Sequence, residues 1–271
     1  MNNKYYSSER NVQILLALLK RNGIKKVIVS PGGTNICFVG SIQNDPFFEI
    51  YSSVDERSAA YMACGLAAES GEPVVLSCTM STASRNYYPG MTEAYYRKLP
   101  VLAITSHIGS NHIGNLRSQV IDRRIIPNDV AQMSVELPIP KDESEDFFVE
   151  MEVNRAILAL KNFGSGPVHI NLITTCNQDF TIKELPLVQT IRRYQAWDQL
   201  PEIPQGKVGV FVGVHRKFTE SQVSAIERFC ATHDAVVICD HTSGYYGEYR
   251  LQPTLVQLQK NAESPLDVLD L

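Results

Sequence analysis

Residues 47–78 read FFEIYSSVDERSAAYMACGLAAESGEPVVLSC, and the change of period inside this stretch decides the fold. FFEIYSS and PVVLSC are short apolar runs rich in aromatic and β-branched residues, the signature of strands. Between them a helix begins near Asp55, a residue type suited to the N-cap. The alternation extends to both sides. Upstream, residues 7–22 place Val12, Leu15, Leu16 and Leu19 at helical spacing and stop at Gly23. KKVIVS then reads as a strand closed by the turn PGGTN. Downstream, residues 82–98 read as one helix and PVLAITS as a strand. A polar stretch without period follows, then a helix over 145–162 and the strand PVHINL. Continuous apolar strands alternating with helices imply an α/β fold, a parallel sheet covered on both faces.

The chain has 271 residues, 44% hydrophobic and 20% charged, with a net charge of −4. That is enough chain for a large core and more than one domain. A negative balance without a Lys/Arg cluster argues against a nucleic-acid or membrane-surface partner. The six cysteines include no CxxC pair and sit mostly in apolar runs, which reads as buried free thiols. No secretory leader and no transmembrane run is visible, so the expected location is the cytoplasm. Residues 1–180 form the first expected domain. Residues 181–206, with Pro186, Pro201 and Pro204 and no period, read as a linker. Residues 207–271 begin a second α/β unit: the strand KVGVFVGV, a helix over 220–230 and the strand AVVICD. Two strands are few for a parallel sheet, and DVLDL looks like the start of a third, so the expectation is a truncated second domain.

Parallel sheets bind ligands beyond the carboxyl ends of their strands, which singles out the loops 30–35, 53–57, 79–82 and 106–119. Within the second loop, Glu56 has two readings. It is either a first-turn acid that complements the helix dipole or a carboxylate presented to a ligand. Pro31, Gly32 and Gly33 are either a turn or a surface of close approach. His107 and His112 share one loop without further metal ligands nearby.

Taken together, SPGGTN, VDERSAAYMACGLAAESGEPVVLSCT, STA and PVLAITS resemble the N-terminal, pyrimidine-binding domain of thiamine-diphosphate-dependent enzymes. Within that superfamily they are most similar to the SEPHCHC synthases of menaquinone biosynthesis (2-succinyl-5-enolpyruvyl-6-hydroxy-3-cyclohexene-1-carboxylate synthases). The resemblance covers roughly residues 10–175 and is most specific over the VDERSA segment; the part from 205 resembles the first half of the family's central domain. It implies a thiamine-diphosphate enzyme acting on a 2-oxo acid by decarboxylation and carbon–carbon bond formation. Glu56 would hydrogen-bond the cofactor's pyrimidine nitrogen and so set the protonation from which the nucleophilic carbon arises. Pro31, Gly32, Gly33, Thr79 and Thr82 would line the cofactor, and Thr34, Gln119 and Arg117 the substrate. The family holds the diphosphate through Mg²⁺ with a GDG…N loop that this chain lacks. The metal ligands, and a diphosphate-binding domain, are therefore expected outside it, in a further C-terminal part or a second subunit. The family's site forms between subunits, so a homodimer is expected, and this chain alone should be inactive. Two alternatives stay open: a separate pyrimidine-binding subunit, and a non-catalytic assembly or regulatory module. The chain also departs from the synthase pattern. Thr34 and Ile108 stand where that family has arginines, and Met80 and Ser81 replace a small Ser-Gly pair. A neutral side chain cannot supply a bidentate bond to a carboxylate; Arg117, Arg123 and Arg124 stand in the neighbouring loop.

Overall fold

The structure is a computed structural model that describes residues 5–195, 197–203 and 206–253. It divides into two compact units between Arg193 and Tyr194. The first contains, in chain order, α1 (Arg10–Arg21), β1 (Lys26–Val29), α2 (Ile36–Gln43), β2 (Glu49–Ser52), α3 (Glu56–Ser70), β3 (Val74–Cys78), α4 (Thr82–Asn86), α5 (Tyr88–Tyr96), β4 (Val101–His107), β5 (Met133–Leu137), α6 (Glu143–Ala159) and β6 (Val168–Ile173). All six strands are parallel, in the order β2-β1-β3-β4-β6-β5. Every residue of β3 and β4 is buried, as a parallel sheet covered on both faces requires.

Two cores make up those covers. On one face the apolar stripe of α1 (Val12, Leu15, Leu16, Leu19) packs with Phe38 of α2 and with Val149 and Val153 of α6. Fully burying each such side chain contributes about 1.5–3 kcal/mol. On the other face α3 offers mainly alanines, Ala59, Ala60 and Ala63, against Met91 and Ala94 of α5. The small residues are there because these helices touch: a Cβ added at Gly90 would lie 2.4 Å from the Ala60 Cβ. A larger residue at either position would force the two helices apart.

Three sequence expectations change. The helix expected over 82–98 is two helices, α4 and α5, divided at Tyr87. Pro89 at the start of α5 cannot donate a helical hydrogen bond, which makes it a starter and not an interior residue. α2 and β5 carried no periodic signal. α2 is short and apolar nearly all round, and β5 is an edge strand with alternating exposure, paired only with β6. The stretch read as linker from 181 does not leave the first unit at once. Tyr6 and Ile182 form a β-bridge, and Ile182, Leu185 and Val188 pack on the α1 side of the core.

The second unit contains β7 (Val208–Val212), α7 (Glu220–His233), β8 (Ala235–Cys239) and β9 (Arg250–Leu251), a parallel sheet in that order. Thr219 and Gln222 start α7 with a reciprocal capping box. Val208, Val210 and Val212 face its core with Cys230 and Val237, while the alternating Phe211 is 78% exposed. The terminal DVLDL lies outside the described residues.

Candidate functional site

The chain runs from β1 outward to β2 and then returns across β1 to place β3 on its other side. Such a reversal of strand order opens a crevice at the carboxyl ends of the two central strands, here between β1 and β3. The loops that follow these strands meet there. A Cβ on Gly32 would lie 2.4 Å from the Thr79 Cβ, so only glycine lets the loop after β1 lie against the end of β3. Thr34, the next residue but one, is 4% exposed. Its Oγ1 shares a hydrogen bond with Thr79 Oγ1 (2.7 Å) and donates to the Ser106 carbonyl at the end of β4 (3.2 Å). Its own carbonyl accepts from Thr174 Oγ1 beyond β6 (2.7 Å). Asn35 Nδ2 donates to the Ser30 carbonyl and to Ser77 Oγ. The floor of the crevice is thus a hydrogen-bonded knot joining four strand ends, and Thr34 gives its hydroxyl to the protein itself. Pro31 and Gly33 are exposed on the rim.

Glu56 stands at the first residue of α3, just beyond β2. Asp55, not Glu56, caps this helix: its side chain accepts from the Ser58 backbone N–H at 2.8 Å and from Ser58 Oγ at 2.5 Å. Glu56 is therefore released from capping. It is partly buried, and its Oε2 accepts from Asn86 Nδ2, at the end of α4, at 3.3 Å. Its charge reaches the buried end of β3. Burial above all, with Glu56 as a smaller contributor, pushes the Cys78 thiol up to about 12 and the Tyr87 hydroxyl well above its ordinary value. The carboxylate, Cys78, Tyr87 and Asn86 thus belong to one neighbourhood on the α3 side of the β3 end. Asn86 and Tyr87 had no motif to reveal them.

Between Thr79 and Thr82 the backbone is strained. Ser81 has φ 64° and ψ −139°, a region that a side chain with a Cβ enters only at a cost of about 1–3 kcal/mol. Thr82 follows at the start of α4, exposed, while Thr79 is half-buried.

Beyond β4 the loop is longer. Arg117 and Gln119 are exposed, Gln119 with φ 62°, and no described side-chain hydrogen bond joins either to the crevice residues. Polar groups collect along β4, β5 and β6 as well as at their ends. His107 Nε2 lies 3.4 Å from Glu136 Oε2, a contact without the alignment of a full hydrogen bond. That contact first, then bonds from Ser110 and Asn171, hold the Glu136 carboxyl down to about 2 against burial. His169 is buried, its ring nitrogens bonded to Thr105 Oγ1 and Ser134 Oγ at 2.7 Å each. Burial first, then the Arg123 charge, hold it neutral with a pKa of about 3. Arg123 is also buried. Among the described residues no group of three or more His, Cys, Asp or Glu side chains is placed to hold a metal ion. All six cysteines are free, and no described helix is long and apolar enough to cross a membrane.

Residues 10–134 match the family described as "Thiamine pyrophosphate enzyme, N-terminal TPP binding domain". The chain is also similar to the 2-succinyl-5-enolpyruvyl-6-hydroxy-3-cyclohexene-1-carboxylate synthase of Bacteroides thetaiotaomicron, 37% identical over 191 residues, which is 70% of this chain and 34% of that protein. The synthase of Phocaeicola vulgatus matches to the same extent. That of Geobacillus kaustophilus is 30% identical over 224 residues, 78% of this chain and 36% of the relative. The chain spans about a third of the length of the curated relatives it matches. The matched residues 10–134 run from α1 into β5 and include the crevice at the β1/β3 reversal, and through this first unit the chain belongs to the thiamine-diphosphate-dependent enzyme superfamily.

Proposed function

We propose that this chain supplies the proton-sharing carboxylate for thiamine diphosphate bound at the β1/β3 crevice. The enzyme would act on a 2-oxo acid by decarboxylation and carbon–carbon bond formation, as its likeness to the SEPHCHC synthases suggests. One observation carries the reading. Glu56 stands at the carboxyl edge of the sheet with one oxygen held by Asn86, while its neighbour Asp55 takes the capping role that would otherwise explain an acid there.

The residues present fit the flat heterocyclic part of that cofactor and not its metal-bound diphosphate. Gly33 leaves backbone uncovered on the rim beside Gly32, a partly buried carboxylate follows the neighbouring strand β2, and no described cluster is built for a divalent cation. When bound, thiamine diphosphate supplies a nucleophilic carbon. Glu56 would hold a proton at the pyrimidine nitrogen through the oxygen that Asn86 does not occupy. Asn86 fixes the carboxylate plane, and Gly32 over Thr79 sets the height of the crevice floor. Pro31, Gly33 and Thr82 would contact the ring from the rim, with Gln119 and Arg117 on the side where substrate arrives. Mg²⁺ and the diphosphate would be held by residues outside this chain, in a homodimeric site, so the chain by itself is expected to be inactive and to bind the cofactor weakly.

Deuterium exchange at the thiazolium C2 of thiamine diphosphate tests the role of Glu56, measured by NMR on the assembled enzyme. Glu56→Gln is expected to slow the exchange by about 10²–10⁴-fold. An unchanged rate rejects the role. Calorimetry that finds tight, Mg²⁺-dependent cofactor binding by this chain alone rejects the division of labour.

A further inference from the structure

We propose that Arg123, with Arg85 beside it, is an anion receptor at the carboxyl end of β4 that takes a carboxylate of the ligand in the crevice. The identity of that ligand rests on the function proposed above; the receptor itself rests on the following geometry.

Arg123 is 3% exposed. Its Nη2 donates to the Ser106 carbonyl at 3.2 Å, while its Nη1 is buried without any partner. Among the described residues no carboxylate lies within ion-pair distance of either Arg123 or Arg85. The nearest carboxylate in sequence, Asp122, is taken by Arg124, whose Nε and Nη2 reach it at 3.0 and 2.7 Å. Arg85 lies over the Tyr88 ring, 5.0 Å from its centre, and its Nη2 donates to the Asp122 carbonyl at 2.7 Å, one residue from Arg123. Arg85 Nη1 also donates to the Tyr88 hydroxyl, so the two guanidinium groups are placed by backbone carbonyls and a neutral phenol, with no carboxylate among their described bonds. Burial, with Arg85 adding to it, pulls Arg123 down to about 10.

A buried charge without a counter-charge is strongly destabilising, and a protein that keeps one has a use for it. Here the position indicates the use. The Ser106 carbonyl that receives Arg123 is the same one that receives Thr34 Oγ1, so the guanidinium lies one hydrogen bond from the crevice floor. A cavity of about 10 Å³, lined among others by Arg123, Tyr87, Thr105 and His169, has room for about one water-sized group. A carboxylate oxygen is of that size and a ring is not. His169, neutral in the same lining, does not compete with Arg123 for the anion.

The test uses 2-oxoglutarate as probe, against NaCl at equal ionic strength and without thiamine diphosphate, read by melting temperature and by the ¹⁵N shifts of arginine side chains. In the wild type, 2-oxoglutarate is expected to raise the melting temperature and move an arginine Nε signal, while NaCl does neither. Arg123→Met should melt higher than wild type in plain buffer, since an uncompensated buried charge is gone, and should bind 2-oxoglutarate at least tenfold more weakly. Arg123→Lys keeps the charge but not the fork, so part of the response should survive, and Arg85→Gln should weaken it. A structural arginine gives the opposite pattern: Arg123→Met melts lower and the response to 2-oxoglutarate stays. That result overturns the proposal, as does an equal response to NaCl. Glu56→Gln leaves the response intact, so the receptor and the cofactor role fail or stand separately.

Discussion

Ser81 occupies a backbone conformation suited to glycine, at φ 64° and ψ −139°, on the loop that joins β3 to α4. Ser81→Gly is therefore expected to stabilise the protein by about 1 kcal/mol, the relief of strain exceeding the added freedom of the unfolded chain. Urea unfolding measures this, and a loss of stability would show that the Ser81 conformation is held without strain. Gly32 is the converse case. Gly32→Ala puts a methyl group 2.4 Å from the Thr79 Cβ and should cost about 1–3 kcal/mol, as overpacking does; Thr79→Ser in the same chain should recover part of the loss. The sequence showed these residues by type and order, since the PGG turn and the DER helix start follow strands directly. It did not show how they are used. Thr34 looked like a substrate contact, yet its hydroxyl is bonded to Thr79 and Ser106. The positive charge that Thr34 lacks arrives at the Ser106 carbonyl from residue 123, a distance along the chain that no local pattern encodes.

At the level of elements, the pairing of β4, β5 and β6 brings a histidine into the interior. His169 is neutral in the fold and has an ordinary pKa near 6.5 when unfolded, against about 3 in place. Below pH 6.5 the unfolded chain binds the extra proton and the folded chain does not, so stability falls as the pH drops toward 3. Glu136, held down to about 2, adds a second loss that begins near the usual carboxylate range and runs downward from there. Between pH 6.5 and 5 the histidine alone should cost up to about 1.4 kcal/mol per pH unit. Chemical denaturation at the two pH values reads this slope, and His169→Gln should flatten it; an equal slope in both proteins would place the acid sensitivity elsewhere. The strands that carry this effect differed in legibility. PVHINL and PVLAITS are continuous apolar runs and were plain. MSVEL, with Glu136 inside it, is an edge strand whose partner lies thirty-odd residues further along, and edge strands carry mixed burial that resembles a loop. The break between α4 and α5 had Pro89 as a sequence signal, but the apolar spacing across it concealed the stop and the stretch read as one helix.

For the molecule as a whole, the division falls at Arg193, inside the region where the sequence loses its period and not at its start. Ile182, Leu185 and Val188 pack on the first unit, and Asn154 bonds the backbone of Gln189 and Ile191. A polypeptide ending at residue 193 should therefore fold by itself, whereas one ending at residue 180 should be less stable by several kcal/mol, on the order of three partly buried apolar side chains. Circular dichroism melts of the two lengths decide it, and equal melting temperatures would show that this strap contributes nothing. The knot around Thr34 has a consequence for how partners arrive. Because it ties the ends of β1, β3, β4 and β6 together, the base of the crevice is preorganised. A molecule docking there meets a surface already in shape and spends little entropy on ordering it. Backbone amides of residues 34 and 35 should accordingly exchange with deuterated solvent far more slowly than those of residues 114–119, before anything has bound.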